Sequence, residues 1–167
     1  MTIYIIGMMG SGKSTIGKRL AENIEYPFID LDSYIKKEGN KTIENIFQNY
    51  GEEYFRELET KSLKAIMNDG AVISCGGGIV LSKNNHTYLK QGKIIYLEAT
   101  ISELVKRISN SNHRPLLKQK NIRKELTNIL EKREKIYLKL SNYTIDTTNK
   151  SPDQIIKQIQ KFLNENN

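Results

Sequence analysis

Cysteine is nearly absent from this 167-residue chain. Cys75 stands alone, which excludes an intrachain disulfide and a cysteine-based zinc cluster. A single thiol accords with a reducing compartment. Long apolar runs are absent too: no stretch approaches the ~20 residues that a membrane span requires. The opening Met1–Ile6 run is shorter than a secretory leader and lacks its basic start, so a soluble cytoplasmic protein is expected. Internal repeats and low-complexity linkers are also missing. The length then suits one domain over residues 1–167.

What is present in excess is positive charge, and it is unevenly spread. Residues 1–113 carry 14 basic and 13 acidic side chains, whereas residues 114–167 carry 12 and 6. A basic C-terminal third suits either nucleic acid or a small polyanion such as ATP. No aromatics alternate with its lysines as a stacking platform would require, much of the stretch reads as solvated helix surface, and charge alone does not decide between the two.

Apolar runs that end in glycine or carboxylate mark five strands: Thr2–Ile6, Pro27–Asp30, Ala71–Cys75, Lys93–Leu97 and Tyr143–Asp146. Helical periodicity falls between them, over Lys13–Ile24, Ser33–Glu38, Thr42–Tyr50, Glu52–Met67, Ile101–Ile108, Ile122–Leu140 and Pro152–Leu163. Alternating strands and helices predict an α/β domain with a mainly parallel sheet covered on both faces. Ligands bind such sheets beyond the carboxyl ends of the strands. Gly7, Asp30, Asp32 and the Gly76–Gly78 triplet all fall at those ends.

Gly7-Met8-Met9-Gly10-Ser11-Gly12-Lys13-Ser14-Thr15 fits G-x-x-x-x-G-K-[ST], after a strand and before a helix. The glycines let the backbone turn its amides onto phosphate, and the helix start adds a positive dipole end. Lys13 reaches the β/γ-phosphates and the Ser14 hydroxyl suits Mg²⁺.

Asp30 and Asp32 lie two apart at the end of the second strand, and in extended backbone they would share a face. One would organise magnesium-bound water and the other accept a hydrogen bond from a substrate hydroxyl; capping of a helix at Asp32 is the plainer reading. Arg56 and Arg133 are carboxylate-binding types, but by spacing alone surface ion pairs are the better explanation for both. Gly76-Gly77-Gly78 lets a ligand approach backbone amides, or simply makes a tight turn. Arg114, in the polar segment Ser109–Gln119, suits a lid that closes over transferring phosphate; a solvated loop arginine is the alternative. Cys75 reads as a small buried residue, not a nucleophile.

These pieces together resemble the shikimate kinase family. The resemblance rests on Gly7–Thr15, Asp30-Leu31-Asp32, Ile46-Phe47, Gly51-Glu52-Glu53-Tyr54-Phe55-Arg56-Glu57-Leu58-Glu59, Gly76–Gly78, Arg114–Leu117 and Arg133 with Tyr137, in that order along the chain. It implies a nucleoside-monophosphate-kinase-like P-loop fold with sheet order 2-3-1-4-5, a substrate region near 32–60 and a lid near 109–121. It implies Mg²⁺-dependent transfer of the ATP γ-phosphate to the 3-hydroxyl of shikimate, a step towards chorismate and the aromatic amino acids. Carried over by residue, Gly10, Ser11, Gly12, Lys13, Ser14 and Thr15 hold phosphates, and Ser14 and Asp30 serve the metal. Asp32 meets the hydroxyl, Arg56 and Arg133 grip the carboxylate, and Gly76, Gly77 and Gly78 line the acceptor. Lys13 and Arg114 assist catalysis, while Arg107 and Pro152 flank adenine and Lys150 lies near the base. A monomer acting on shikimate and ATP is expected. The rival readings are a gluconate or nucleotide kinase of the same fold, or a non-catalytic nucleotide-binding module or basic nucleic-acid-binding protein; no nucleic-acid or membrane partner is expected.

Overall fold

A computed structural model describes residues 1–67, 70–110 and 121–166. Its sheet holds β1 (Ile3–Gly7), β2 (Phe28–Asp30), β3 (Val72–Ser74), β4 (Lys93–Glu98) and β5 (Tyr143–Asp146). The strand order is β2-β3-β1-β4-β5, with every neighbouring pair parallel. The expected order 2-3-1-4-5 is therefore present. The helices are α1 (Lys13–Asn23), α2 (Leu31–Gly39), α3 (Ile43–Ile66), α4 (Lys83–Leu89), α5 (Ile101–Ser109), α6 (Ile122–Leu140) and α7 (Pro152–Glu165).

Side-chain alternation along the strands divides the interior in two. Ile3 and Ile5 of β1, with Ile95 and Leu97 of β4, face α1 and α7, where Ile16, Leu20, Ile155 and Ile159 are buried. Tyr4, Ile6, Ile94 and Tyr96 face the opposite way, onto α3, α5 and α6. Burying each such aliphatic side chain contributes about 1.5–3 kcal/mol. Strands buried on both faces are why the sequence reads as apolar runs and not as alternation.

The helix ends follow local chemistry. Thr42, Thr100 and Ser151 cap α3, α5 and α7 through their hydroxyls, and Ser151 with Gln154 completes a capping box ahead of Pro152. The expected break between Thr42–Tyr50 and Glu52–Met67 is a kink at Gly51, whose φ of 84° is one that side-chain-bearing residues rarely adopt. Asn40 ends α2 in the left-handed conformation.

Two expectations need correction. The sequence reading assigns no element between the glycine triplet and the fourth strand, where a 3₁₀ turn over Ile79–Leu81 is followed by α4. Asn85 Nδ2 donates to the Ile79 carbonyl at 2.9 Å and His86 Nε2 lies 2.7 Å from the Val80 carbonyl, tying the two together. The second correction concerns Asp30 and Asp32. Helix α2 starts at Leu31, so Asp32 lies in its first turn and not in extended strand. The cap is Asp30, whose Oδ1 accepts from the Ser33 amide at 3.0 Å.

Candidate active site

The P-loop occupies the bend between β1 and α1. Gly12 precedes α1 with φ 94° and no side-chain cap, leaving the first amides of the helix without a side-chain partner there. That is the arrangement in which a helix start receives an anion. Lys13 Nζ donates to the Met8 carbonyl at 2.8 Å, folding the lysine back across the loop. Ser11 is buried, its hydroxyl without a partner among the described residues. Gly10 is partly buried beside Ile108, and Thr15 is exposed one residue after Ser14.

Ser14 Oγ donates to Asp30 Oδ2 at 2.7 Å and lies 3.3 Å from Ser74 Oγ. Three oxygens from α1 and the ends of β2 and β3 thus meet beside Lys13. Hard oxygen donors suit Mg²⁺, so Ser14 and Asp30 fit the expected ion. Among the described residues no cluster of three or more His, Cys, Asp or Glu side chains could hold a metal ion. Ser74 was not foreseen. Its one signal is a lone polar residue closing an apolar strand directly before Cys75 and the glycines.

From this cluster a cleft of ≈ 550 Å³ extends between α2, α3 and α6. Lys13, Ser14, Asp30, Asp32, Arg56, Gly76, Gly77, Gly78 and Arg133 all line it, with Met9, Ile43, Phe47, Phe55 and Ile129 as apolar wall. The two arginines come from α3 and α6 and converge on the glycine triplet. A Cβ built on Gly78 would overlap the Arg56 guanidinium, and one on Gly77 would lie 3.5 Å from Arg133 Nη1. A Cβ on Gly76 would lie 2.8 Å from Asp32 Oδ1. Side-chain-free glycine is what lets cation and carboxylate close on this backbone.

Surface ion pairing, the plain reading of the arginines, does not describe Arg56. Its Nη1 donates to Glu59 Oε2 at 2.8 Å and its Nη2 to Glu52 Oε1 at 3.2 Å. Glu59 has a fully buried side chain, and its Oε1 has no partner among the described residues. Burial pushes the Glu59 carboxyl up to about 7, outweighing the downward pull of Arg56. Arg56 Nε is buried and unpartnered as well. The (i, i+3) and (i, i−4) spacing around Arg56 signals these partners in the sequence. Cys75 is buried and its thiol pKa is pushed far upward, chiefly by burial, as befits a packing residue.

Arg107 and Pro152 lie apart from this cleft. Arg107 Nε donates to Glu103 at 2.9 Å, Nη1 to the Ser11 carbonyl at 3.4 Å, and Nη2 to the Thr147 carbonyl at 2.8 Å. It thereby joins the P-loop to the segment after β5, where Lys150 Nζ donates to the Asp146 carbonyl at 2.6 Å. Pro152 opens α7 directly beyond that segment. Arg114 and most of the expected lid fall outside the described residues; within reach of description, Asn110 ends α5 and Asn121 caps α6.

The family model for shikimate kinase matches residues 9–164. The chain belongs to the shikimate kinase family. A shikimate kinase from Enterococcus faecalis is 42% identical over 167 residues, covering 98% of this chain and 99% of the relative. Among solved structures, shikimate kinase from Acinetobacter baumannii in complex with shikimate superposes with TM-score 0.92 at 32% identity, covering 99% of this chain and 93% of that one. The shikimate kinase from Aquifex aeolicus gives 0.86 at 35% identity, over 99% and 98%. The likeness to shikimate kinases thus runs through nearly the whole chain.

Proposed function

We propose that this protein phosphorylates shikimate, transferring the γ-phosphate of ATP to the 3-hydroxyl and releasing shikimate 3-phosphate and ADP on the way to chorismate. The observation that carries this reading is the convergence of Arg56, Arg133 and Asp32 on one glycine turn beside the P-loop. A small acid with ring hydroxyls needs an anion clamp and a hydroxyl reader in one cavity, and both are built here.

The P-loop amides and Lys13 hold the β- and γ-phosphates, and they neutralise charge as it spreads over the transferring group. Ser14 and Asp30, with Ser74 behind them, would hold Mg²⁺, which would offset the negative charge of the phosphates. Arg56 and Arg133 take the acceptor carboxylate from two sides, with the Arg56 guanidinium held in place by Glu52 and Glu59. Asp32 accepts the hydrogen bond of the reacting hydroxyl and turns a lone pair towards the γ-phosphorus. It takes the proton as the new O–P bond forms and the bond to ADP breaks. Arg114 adds positive charge from the 109–121 segment, and Arg107 with Pro152 frames the adenine end. The enzyme works in the cytoplasm as a single-domain monomer on two small molecules, without nucleic acid or membrane; no helix of the described residues is long and apolar enough to cross a bilayer.

The test is the identity of the product. Phosphorus and proton NMR of a reaction with MgATP and shikimate should show one phosphomonoester, coupled to the ring proton at position 3. Ester at another position, or only inorganic phosphate, would overturn the reading.

A further inference from the structure

All three carbonyls of the glycine turn are held by the protein. Those of Gly76 and Gly78 accept from the amides of Ile79 and Leu81 at 3.1 and 3.0 Å, within the 3₁₀ geometry. The Gly77 carbonyl is held differently: the Tyr137 hydroxyl, from α6, donates to it. In a trans amide the N–H points opposite to the C=O, so holding the Gly77 oxygen fixes the direction of the Gly78 N–H. None of the three glycine amides donates a hydrogen bond to another described residue.

Tyr137 is well placed for this duty. It is completely buried, and its ring stacks on Tyr96 with centroids 4.9 Å apart and an interplanar angle of 21°. Arg133 sits one helical turn earlier and acts on the same phenol, so one hydroxyl neighbours both the arginine and the glycine backbone. Burial raises the phenol pKa to about 12 against the pull of Arg133, which keeps it a neutral donor through the whole assay range.

Resting on the acceptor reading above, we infer that Tyr137 is a positioning residue: its hydroxyl locks the Gly77–Gly78 peptide so that the turn presents N–H groups, not carbonyl oxygens, to the anionic acceptor beside Arg133. A carbonyl swung into that cleft would repel a carboxylate that the arginines attract. Tyr137 touches no substrate in this account; it acts through the glycine backbone.

Tyr137→Phe keeps the ring and removes the donor, and Tyr96→Phe removes a phenol from the same stack. Steady-state kinetics, shikimate calorimetry and thermal midpoints would be measured on both variants and on wild type. Tyr137→Phe should raise the KM and Kd for shikimate about 5- to 10-fold, the loss of one hydrogen bond. Its kcat and ATP KM should stay within about 2-fold of wild type, and Tyr96→Phe should match wild type throughout. The inference is overturned by an unchanged shikimate KM in Tyr137→Phe, by equal rises in both KM values, by the same effect in Tyr96→Phe, or by a Tyr137→Phe protein that fails to fold. Wild type without shikimate turnover would instead withdraw the acceptor reading itself, and this inference with it.

Discussion

The nucleotide half of the cleft and its acceptor half are built by different means. The first is one contiguous stretch, Gly7–Thr15, working mostly through backbone amides and a helix start. The second gathers side chains from α2, α3 and α6 around a glycine turn, with a buried carboxylate, Glu59, behind one arginine. Backbone chemistry suits phosphate, which many proteins share, whereas dispersed side chains select one acceptor. The two halves meet at the Ser14–Asp30–Ser74 cluster and at Asp32, and changes on either side should therefore separate in their kinetics.

The sharpest separation is expected at Asp32. On the proposed role, Asp32→Asn removes the hydroxyl's proton acceptor and should lower kcat by roughly 10²- to 10⁴-fold. ATP affinity, measured by calorimetry, should remain within about 2-fold. Equal loss of ATP binding would show that the halves do not part at this residue.

The next effect concerns stability. Glu59 titrates near 7 in the fold and near 4.5 when unfolded, so between these values the folded chain holds the extra proton. Stability therefore falls as pH rises through that window, by roughly 3 kcal/mol in all, and the loss is complete above it. Glu59→Gln abolishes this titration. Urea unfolding at pH 5 and pH 8 should show a smaller decline in the variant than in wild type; equal declines would place the titrating group elsewhere.

Arg133→Ala should raise the shikimate KM about 10- to 100-fold, as expected for loss of a charged hydrogen bond, and leave the ATP KM alone. A shift confined to ATP would move Arg133 into the nucleotide half. The smallest effect belongs to Ser74→Ala. Removing this hydroxyl from the Ser14–Asp30 cluster should raise the Mg²⁺ concentration needed for half-maximal rate about 3- to 10-fold, with little change in shikimate KM. No change in magnesium dependence would make Ser74 a packing residue of the strand end.

The contrast between halves also explains what could be read before the structure. A contiguous motif announces itself, so the P-loop was legible residue by residue, as were the strands, most plainly β1, β3 and β4, whose burial on both faces leaves apolar runs. The acceptor half depends on side chains distant in sequence, and spacing alone left Arg56 and Arg133 as ordinary ion pairs until family resemblance joined them. Local competition hid other details. Asp30 and Asp32 are both able to cap a helix, and only the backbone course shows that Asp30 does so. Helix α4 escaped notice because its seven mostly polar residues carry too little periodicity, and its tie to the 3₁₀ turn comes from Asn85 and His86 bonding to backbone carbonyls. The short contact between Tyr137 and the Gly77 carbonyl spans 60 positions, a pairing that no local pattern encodes.

The central claim is that the acceptor half selects shikimate while the nucleotide half supplies common phosphate chemistry. It is tested most directly by ADP release from MgATP with shikimate, gluconate and AMP offered separately. The account predicts ADP release that depends on shikimate, with the other two at the no-acceptor background. Turnover with gluconate or AMP and silence with shikimate would contradict it, leaving the fold and the P-loop but removing the roles given to Asp32, Arg56 and Arg133.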